Sequence, residues 1–250
     1  MRLNNPTLMS MSVNSQSELK PVLGIIPARG GSKRFPGKNL VPLAGKPLLV
    51  HSIETCLHAK MLDRVIVSSE DDRILAVAEN ACPGVALRRP DHLAQDTSLV
   101  YDTAIDALGR LEALGEGPYQ IVALIQCTSP LTIPLDIDGA INELIRYPEA
   151  DSVVTVVELD HYLHPTKLNL MKEGWLEPCV GTEQAMQPAH MLEKFFLRNG
   201  SAYVSRRSIF EQGRVVGERC RGYVMPPERS VDINRPIDLN FAEFLLSRAS

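Results

Sequence analysis

Four cations fall within ten residues in the stretch Ile26-Pro27-Ala28-Arg29-Gly30-Gly31-Ser32-Lys33-Arg34-Phe35-Pro36-Gly37-Lys38-Asn39. Arg29, Lys33, Arg34 and Lys38 supply the charge. Gly30 and Gly31 let backbone N–H groups come close to an anion. Such a loop suits a polyphosphate. It is not a Walker A sequence, because Ser32 stands where the first glycine is needed, and it is not a G-x-G-x-x-G dinucleotide loop. The competing reading is a solvated basic loop. Its place directly after a strand-like run, where open α/β sheets bind ligands, favours phosphate binding.

Two further segments carry polar groups at element ends. Gln126-Cys127-Thr128-Ser129-Pro130-Leu131 closes an apolar run, and its Gln, Thr and Ser can hydrogen-bond a ligand or serve as capping chemistry. Ser230-Val231-Asp232-Ile233-Asn234 places Asp232 and Asn234 on one side if it is extended. One carboxylate and one amide oxygen suit Mg²⁺ that also rests on substrate phosphates, and equally suit an Asx turn or helix cap. His161 and His164 form H-x-x-H with no third ligand in view, which argues against a metal site.

The elements around these segments alternate. Val22–Ile26, Arg64–Ser68, Val85–Leu87, Ile121–Ile125 and Ser152–Val157 read as strands. Ile121–Ile125 has the continuous apolar character of a central parallel strand buried on both faces. Helices are expected after Pro47 with Val50, Ile53 and Leu57 on the buried face, around Ile74, Leu75 and Ala78, along Val100, Ala104, Leu108 and Leu111, and over Leu135–Tyr147. The alternation implies right-handed βαβ units and an α/β, doubly wound, mostly parallel sheet. After Val157 the rhythm changes. Lys167–Val180 reads as a projecting hairpin arm that turns at Lys172-Glu173-Gly174. Strands at Ala202–Val204 and Gly222–Met225 precede a last helix, which starts near Pro236 and buries Phe241, Phe244 and Leu245.

Composition narrows the function classes. The 250 residues carry 26 basic and 30 acidic side chains, a net charge of −4, whereas a nucleic-acid coat needs a basic face. A chain of this length buries about 70–75% of its unfolded surface and needs no metal or disulfide staple. Its five cysteines are odd in number and widely spaced without C-x-x-C, which fits reduced thiols in a cytoplasmic protein. Residues 1–20 lack an apolar signal core and are expected to be a disordered tail before one domain over 21–250. No apolar run is long enough to span a membrane.

Taken in order, these segments resemble the acylneuraminate cytidylyltransferases, the CMP-sialic acid synthetase family. The resemblance runs from about Val22 to the C-terminus, and Ile26–Asn39 carries it most specifically. Arg88-Arg89-Pro90 with Leu93 and Asp96, Gln126-x-Thr128-Ser129-Pro130-Leu131, His164-Pro165-x-Lys167, Asn199-Gly200-x-x-Tyr203 and Ser230-x-Asp232-Ile233 support it. It implies a Rossmann-like nucleotidyltransferase fold, with about 160–200 as a dimerisation and acceptor-site insertion. The activity implied is that of a CTP- and Mg²⁺-dependent homodimer that activates an acidic nine-carbon 2-keto sugar and releases pyrophosphate.

By the same resemblance Arg29, Lys33 and Lys38 bind the triphosphate. Ala28, Gly31, Ser32, Asn39, Arg89, Ser98 and Thr128 contact the nucleotide. Gln126 and Lys167 face the acceptor, and Asp232 with Asn234 holds the metal. The chain departs from the pattern at Cys127 (usually Pro), Thr132 (commonly Arg), Asn234 (usually Asp) and Gln187–His190, where an Arg-Arg pair is frequent. These changes bear on the acceptor end, so a pseudaminic- or legionaminic-type sugar, a shorter keto-acid sugar or a phosphonate are alternative acceptors. A nucleotide-binding module without catalysis is the alternative from another class.

Overall fold

The computed structural model describes residues 21–31, 35–180 and 191–249. The tail expected over 1–20, the loop residues Ser32, Lys33 and Arg34, and Gln187–His190 therefore lie outside the described residues.

The chain runs β1 (Val22–Pro27), the short pair β2 (Pro42–Leu43) and β3 (Lys46–Pro47), α1 (Leu48–His58), β4 (Arg64–Ser69), α2 (Asp72–Ala81) and β5 (Ala86–Arg88). Then follow α3 (Val100–Ala113), β6 (Ile121–Ile125), α4 (Pro134–Arg146), β7 (Ser152–Glu158) and the hairpin β8 (Asn169–Lys172) and β9 (Trp175–Pro178). The last part holds β10 (Phe196–Arg206), α5 (Arg207–Glu211), β11 (Cys220–Val224) and α6 (Pro236–Ala249).

Seven strands form one sheet in the order β11-β7-β10-β6-β1-β4-β5. Every pairing is parallel except those of β10, which runs antiparallel to both β6 and β7. The strand read as centrally parallel, β6, is buried at all five residues. It is parallel only to β1, because its other neighbour is the returning β10.

Period-two alternation sends the two faces of this sheet to two cores. Val22 and Ile26 pack with Leu49, Ile53 and Ile74, and with Ile137 and Ile141 of α4, on one face. Leu23, Ile25, Val122 and Leu124 pack with Leu108 and Leu111 of α3 and Phe210 of α5 on the other. The sheet is thus covered on both faces, as a doubly wound fold requires.

Two helical faces differ from expectation. In α1 the buried set is Leu48, Leu49, Ser52, Ile53 and Cys56, while Leu57 is exposed. Leu48 belongs to a third small core with Leu43, Leu131, Ile233 and Ala242, and this second contact rotates the helix away from the Val50–Leu57 line. In α6 the same core takes Ala242, with Leu245 packed beside it, whereas Phe241 and Phe244 face outward.

The arm turns where the sequence places it. Glu173 (φ 49°) and Gly174 (φ 86°) are both left-handed, the two-residue geometry whose twist matches an antiparallel pair. Every residue of its two strands is exposed. At the base of the arm, buried His164 lies 2.8 Å from Thr166 Oγ1 through Nδ1 and 3.2 Å from the Glu193 carbonyl through Nε2. That pair of contacts gives the histidine a packing role. Among the described residues no group of three or more His, Cys, Asp or Glu side chains could hold a metal. No helix among them is long and apolar enough to cross a membrane.

Candidate active site

The sheet order reverses between β1 and β6, since α1 and α2 lie over one face and α3 over the other. A crevice opens at the carboxyl ends of strands at such a point. Here the loop leaving β1, the loop leaving β6 and the segment from β5 into α3 form its walls. The cleft has a volume of about 380 Å³ and is lined by Pro27, Arg29, Asn39, Arg89, Gln95, Asp96, Ser98, Thr103, Gln126, Cys127 and Thr128, with Leu93, Leu99 and Val100 as its apolar part.

The basic loop is tied at both ends. At its exit, Asn39 Nδ2 donates to the Arg29 carbonyl at 2.9 Å. At its entry, the Gly30 amide donates to Glu70 Oε1 at 2.8 Å. A Cβ at Gly30 would lie 2.5 Å from Asp71 Oδ2, whereas one at Gly31 would meet none of the described residues within 4 Å. Glycine is therefore required at position 30 for close approach to Asp71, and Gly31 is the open position. Arg29 reaches across the mouth to Asp96, Nη1 to Oδ1 at 3.2 Å, and both side chains stay substantially exposed. Such a contact holds little energy and can be exchanged for a phosphate.

Arg89 is 5% exposed. Its Nη2 donates to Glu70 Oε2 at 2.7 Å and its Nη1 to Thr103 Oγ1 at 3.2 Å, while its buried Nε has no partner among the described residues. Burial pushes the Glu70 carboxyl up, but the Arg89 and Gly30 hydrogen bonds outweigh it and hold the group below the usual carboxylate range. On the loop leaving β6, the Thr128 hydroxyl is buried without a partner among the described residues. Ser52 Oγ, Ser68 Oγ and Asp106 Oδ2 are likewise unpartnered among the described residues, and Arg89 and Thr128 are the two of these five residues that line the cleft. Ser98 Oγ donates to the His92 carbonyl at 2.8 Å and so fixes the loop that carries it.

The segment around Asp232 is brought to the cleft by four anchors. Arg229 forks onto the fully buried Asp136 at 2.9 and 2.8 Å. Asn199 Nδ2 donates to Ser230 Oγ at 2.9 Å, and the Ile233 amide donates to the Thr128 carbonyl at 2.8 Å. Asp238 Oδ2 then accepts from the Asn234 and Arg235 amides at 3.0 and 2.8 Å, turning the chain into α6. Beside this segment β10 shifts register between Arg198 and Tyr203, with Gly200 at φ 75°. A Cβ at Gly200 would lie 3.6 Å from both Asp232 Cγ and Ser129 Oγ.

Lys38 joins the first and third segments. Its Nζ donates to the Ile233 carbonyl at 2.8 Å and lies 3.5 Å from Asn234 Oδ1. Asn234 in turn donates through Nδ2 to Asp232 Oδ2 at 2.7 Å. Its amide oxygen thus faces a cation and its amide nitrogen an anion. This donor set offers one carboxylate, Asp232, to a divalent ion. That fits Mg²⁺ that takes most of its oxygens from nucleotide phosphates and water, and does not resemble an all-protein cage.

The departures noted in the sequence have local explanations. Thr132 is buried, bonded through Oγ1 to the Ser129 carbonyl at 2.7 Å and to Ser201 Oγ at 2.6 Å, so no cation stands there. Cys127 lines the cleft but is nearly fully buried, and burial pushes its thiol up to about 12, which leaves it unreactive. Of the remaining candidates, Ala28 is fully buried behind the loop and Gln126 lines the cleft. Lys167 is exposed at the base of the arm, away from the cleft lining. Sequence reasoning missed Glu70 and Thr103. An acidic residue at the carboxyl end of β4, next to the switch point, was the available signal for Glu70.

Comparison with known proteins gives a consistent picture. The sequence profile described as cytidylyltransferase matches residues 23–215. The chain is 30% identical over 235 residues to CMP-N,N'-diacetyllegionaminic acid synthase of Legionella pneumophila, covering 90% of this chain and 96% of that protein. It is 31% identical over 241 residues to N-acylneuraminate cytidylyltransferase of Oncorhynchus mykiss, covering 92% of this chain but only 51% of that protein. The chain therefore spans about half the length of the curated acylneuraminate enzymes it matches. Among solved structures, CMP:2-keto-3-deoxy-manno-octonic acid synthetase complexed with CTP shares the fold, with a TM-score of 0.70 at 16% identity over 92% of this chain and all of that one.

Proposed function

The chain belongs to the cytidylyltransferase family, and from that premise we propose that it transfers CMP from CTP to an acidic 2-keto sugar of the sialic acid type, releasing pyrophosphate. The observation that carries this reading is the 2.8 Å bond from Lys38 to the Ile233 carbonyl, which joins the cationic loop to the Asp232 segment beside the cleft. The names of the relatives, a legionaminic acid synthase and N-acylneuraminate cytidylyltransferases, support an acceptor of this class.

In the proposed reaction the anomeric hydroxyl oxygen of the acceptor attacks the α-phosphorus of CTP in line. The new P–O bond forms as the bridging bond to the β-phosphate breaks, and the acceptor's proton is lost. Little covalent chemistry falls to the protein, so catalysis is positioning and charge stabilisation. Arg29, Lys33 and Lys38 offset charge on the departing pyrophosphate. Arg89, Asn39, Ser98 and Thr128 hold the nucleotide, together with Ala28, Gly31 and Ser32 of the cationic loop. Gln126 and Lys167 face the acceptor. Asp232 holds Mg²⁺, which when bound supplies Lewis-acid charge to the phosphate oxygens. Asp232 is also the carboxylate we assign to the acceptor's proton, and Asn234 orients it.

The protein acts as a homodimer in this account. The exposed Met171 and Leu176, paired across the two strands of the arm, form an apolar patch that a second copy would cover, and sedimentation at the dimer mass is the result this requires. Five free thiols suit a reducing, cytoplasmic setting. The test is pyrophosphate release from CTP and Mg²⁺ across N-acetylneuraminic, legionaminic-type, eight-carbon keto-acid and phosphonate acceptors, with UTP and ATP as controls. Release with CTP and a nine-carbon acid supports the reading. CTP binding without release on any acceptor would establish the non-catalytic module instead.

A further inference from the structure

Glu70 uses each carboxylate oxygen for a different wall of the cleft. Oε1 accepts the Gly30 amide at 2.8 Å and Oε2 accepts Arg89 Nη2 at 2.7 Å. Gly30 opens the cationic loop. Arg89 lines the cleft, buried, and its Nε has no partner among the described residues. An acidic group beside a polyanion site opposes ligand binding by its charge alone. Its retention here, facing two donors on opposite walls, calls for a compensating role.

We propose that Glu70 is a positioning residue for nucleotide binding: it locks the entry of the phosphate loop to the buried Arg89, so that both walls of the cleft are set before CTP arrives. The inference rests on the cytidylyltransferase reading and adds to it a residue that never touches the nucleotide. The geometry leaves few substitutes. Only an ionised carboxylate offers an acceptor to both donors at once; an amide of the same shape turns its NH₂ group toward one of them. The loop entry also passes close to Asp71, where a Cβ added at Gly30 would lie 2.5 Å from Oδ2, so the glycine is what lets its amide reach Glu70. Arg89 has one other side-chain anchor, Thr103 Oγ1 at 3.2 Å, which fixes a single guanidinium nitrogen.

The experiment measures CTP affinity by calorimetry on intact wild-type, Glu70→Gln, Arg89→Met and the double variant, with thermal melting in parallel. Glu70→Gln is expected to weaken CTP binding about tenfold. It should also lower the melting temperature, because it leaves a buried guanidinium without its counter-charge. Arg89→Met in the same background removes that buried charge and should recover melting. Its affinity loss should fall well short of the product of the two single losses, because Glu70 acts through Arg89. A Glu70→Gln affinity within twofold of wild type, or losses that multiply fully, would overturn the proposal. If Glu70→Gln does not fold, Glu70→Asp reads the same affinity with the charge kept and one bond out of reach. Failure of both to fold would also overturn it, marking a group the fold needs and not one that sets the cleft. A wild-type protein that does not bind CTP at all would sink the functional reading itself, a result distinct from the others.

Discussion

The Lys38 ammonium lies 2.8 Å from the carbonyl oxygen of Ile233, a residue 195 positions further along the chain. This bond ties the cationic loop to the segment behind the Thr128 wall of the cleft and sets a cation near the Asp232 carboxylate, with Asn234 between them.

Removing either partner of this junction is expected to cost turnover more than folding. Lys38→Ala and Asp232→Ala should each reduce the rate of pyrophosphate release at least tenfold, about 1.4 kcal/mol or more of transition-state stabilisation. Initial rates at saturating CTP check it. Near wild-type rates in both variants contradict the roles given to them.

Asn234 is expected to be the reason the metal arrives with the nucleotide. Asn234→Asp places a second carboxylate beside Asp232, so binding of Mn²⁺ in the absence of CTP should tighten severalfold. Titration of each protein with Mn²⁺, followed by electron paramagnetic resonance, reads this without any turnover. Equal metal affinity in the two proteins would show that Asn234 does not limit capture.

Thr128 offers a cleaner probe of the cleft wall. Its buried hydroxyl has no partner among the described residues, so Thr128→Val removes an unsatisfied group at little cost to shape. Melting should be unchanged or slightly raised, while CTP affinity falls severalfold. A Thr128→Val protein that melts earlier and binds CTP normally would place the hydroxyl outside the nucleotide's reach.

The Glu70 carboxyl predicts a pH signature with a definite sign. The group is held below the usual carboxylate range in the folded protein. Its contribution to stability is therefore complete above the unfolded value, about 4.3, and is lost as pH falls through the lower folded value. The melting difference between wild type and Glu70→Gln should be flat from about pH 8 to pH 5.5 and should shrink only in acid. A difference that shrinks as pH rises from 6 to 8 contradicts the assignment.

Much of this site is legible in the sequence where function is local. The stretch Ile26–Asn39 announces itself because a strand, paired glycines and four cations are contiguous, and the hairpin does so because Glu173-Gly174 supplies both left-handed positions. What is not legible depends on distance along the chain. Glu70 has one partner 40 residues before it and another 19 after it, so no spacing rule could find it. The reversed β10 reads as an ordinary strand, because alternation reports burial and not direction. Phe241 and Phe244 look like core residues by type, yet the small core they were expected to fill is satisfied by Ala242 and Leu245.

The most direct test of the central claim is mass spectrometry of the products formed from CTP, Mg²⁺ and N-acetylneuraminic or legionaminic acid under the wild-type protein. The account predicts a CMP–sugar phosphodiester that appears in step with pyrophosphate, and neither when Lys38→Ala replaces the wild type. CTP bound at the cleft with no conjugate formed on any acidic sugar, or CTP cleaved to CDP and phosphate, would contradict it.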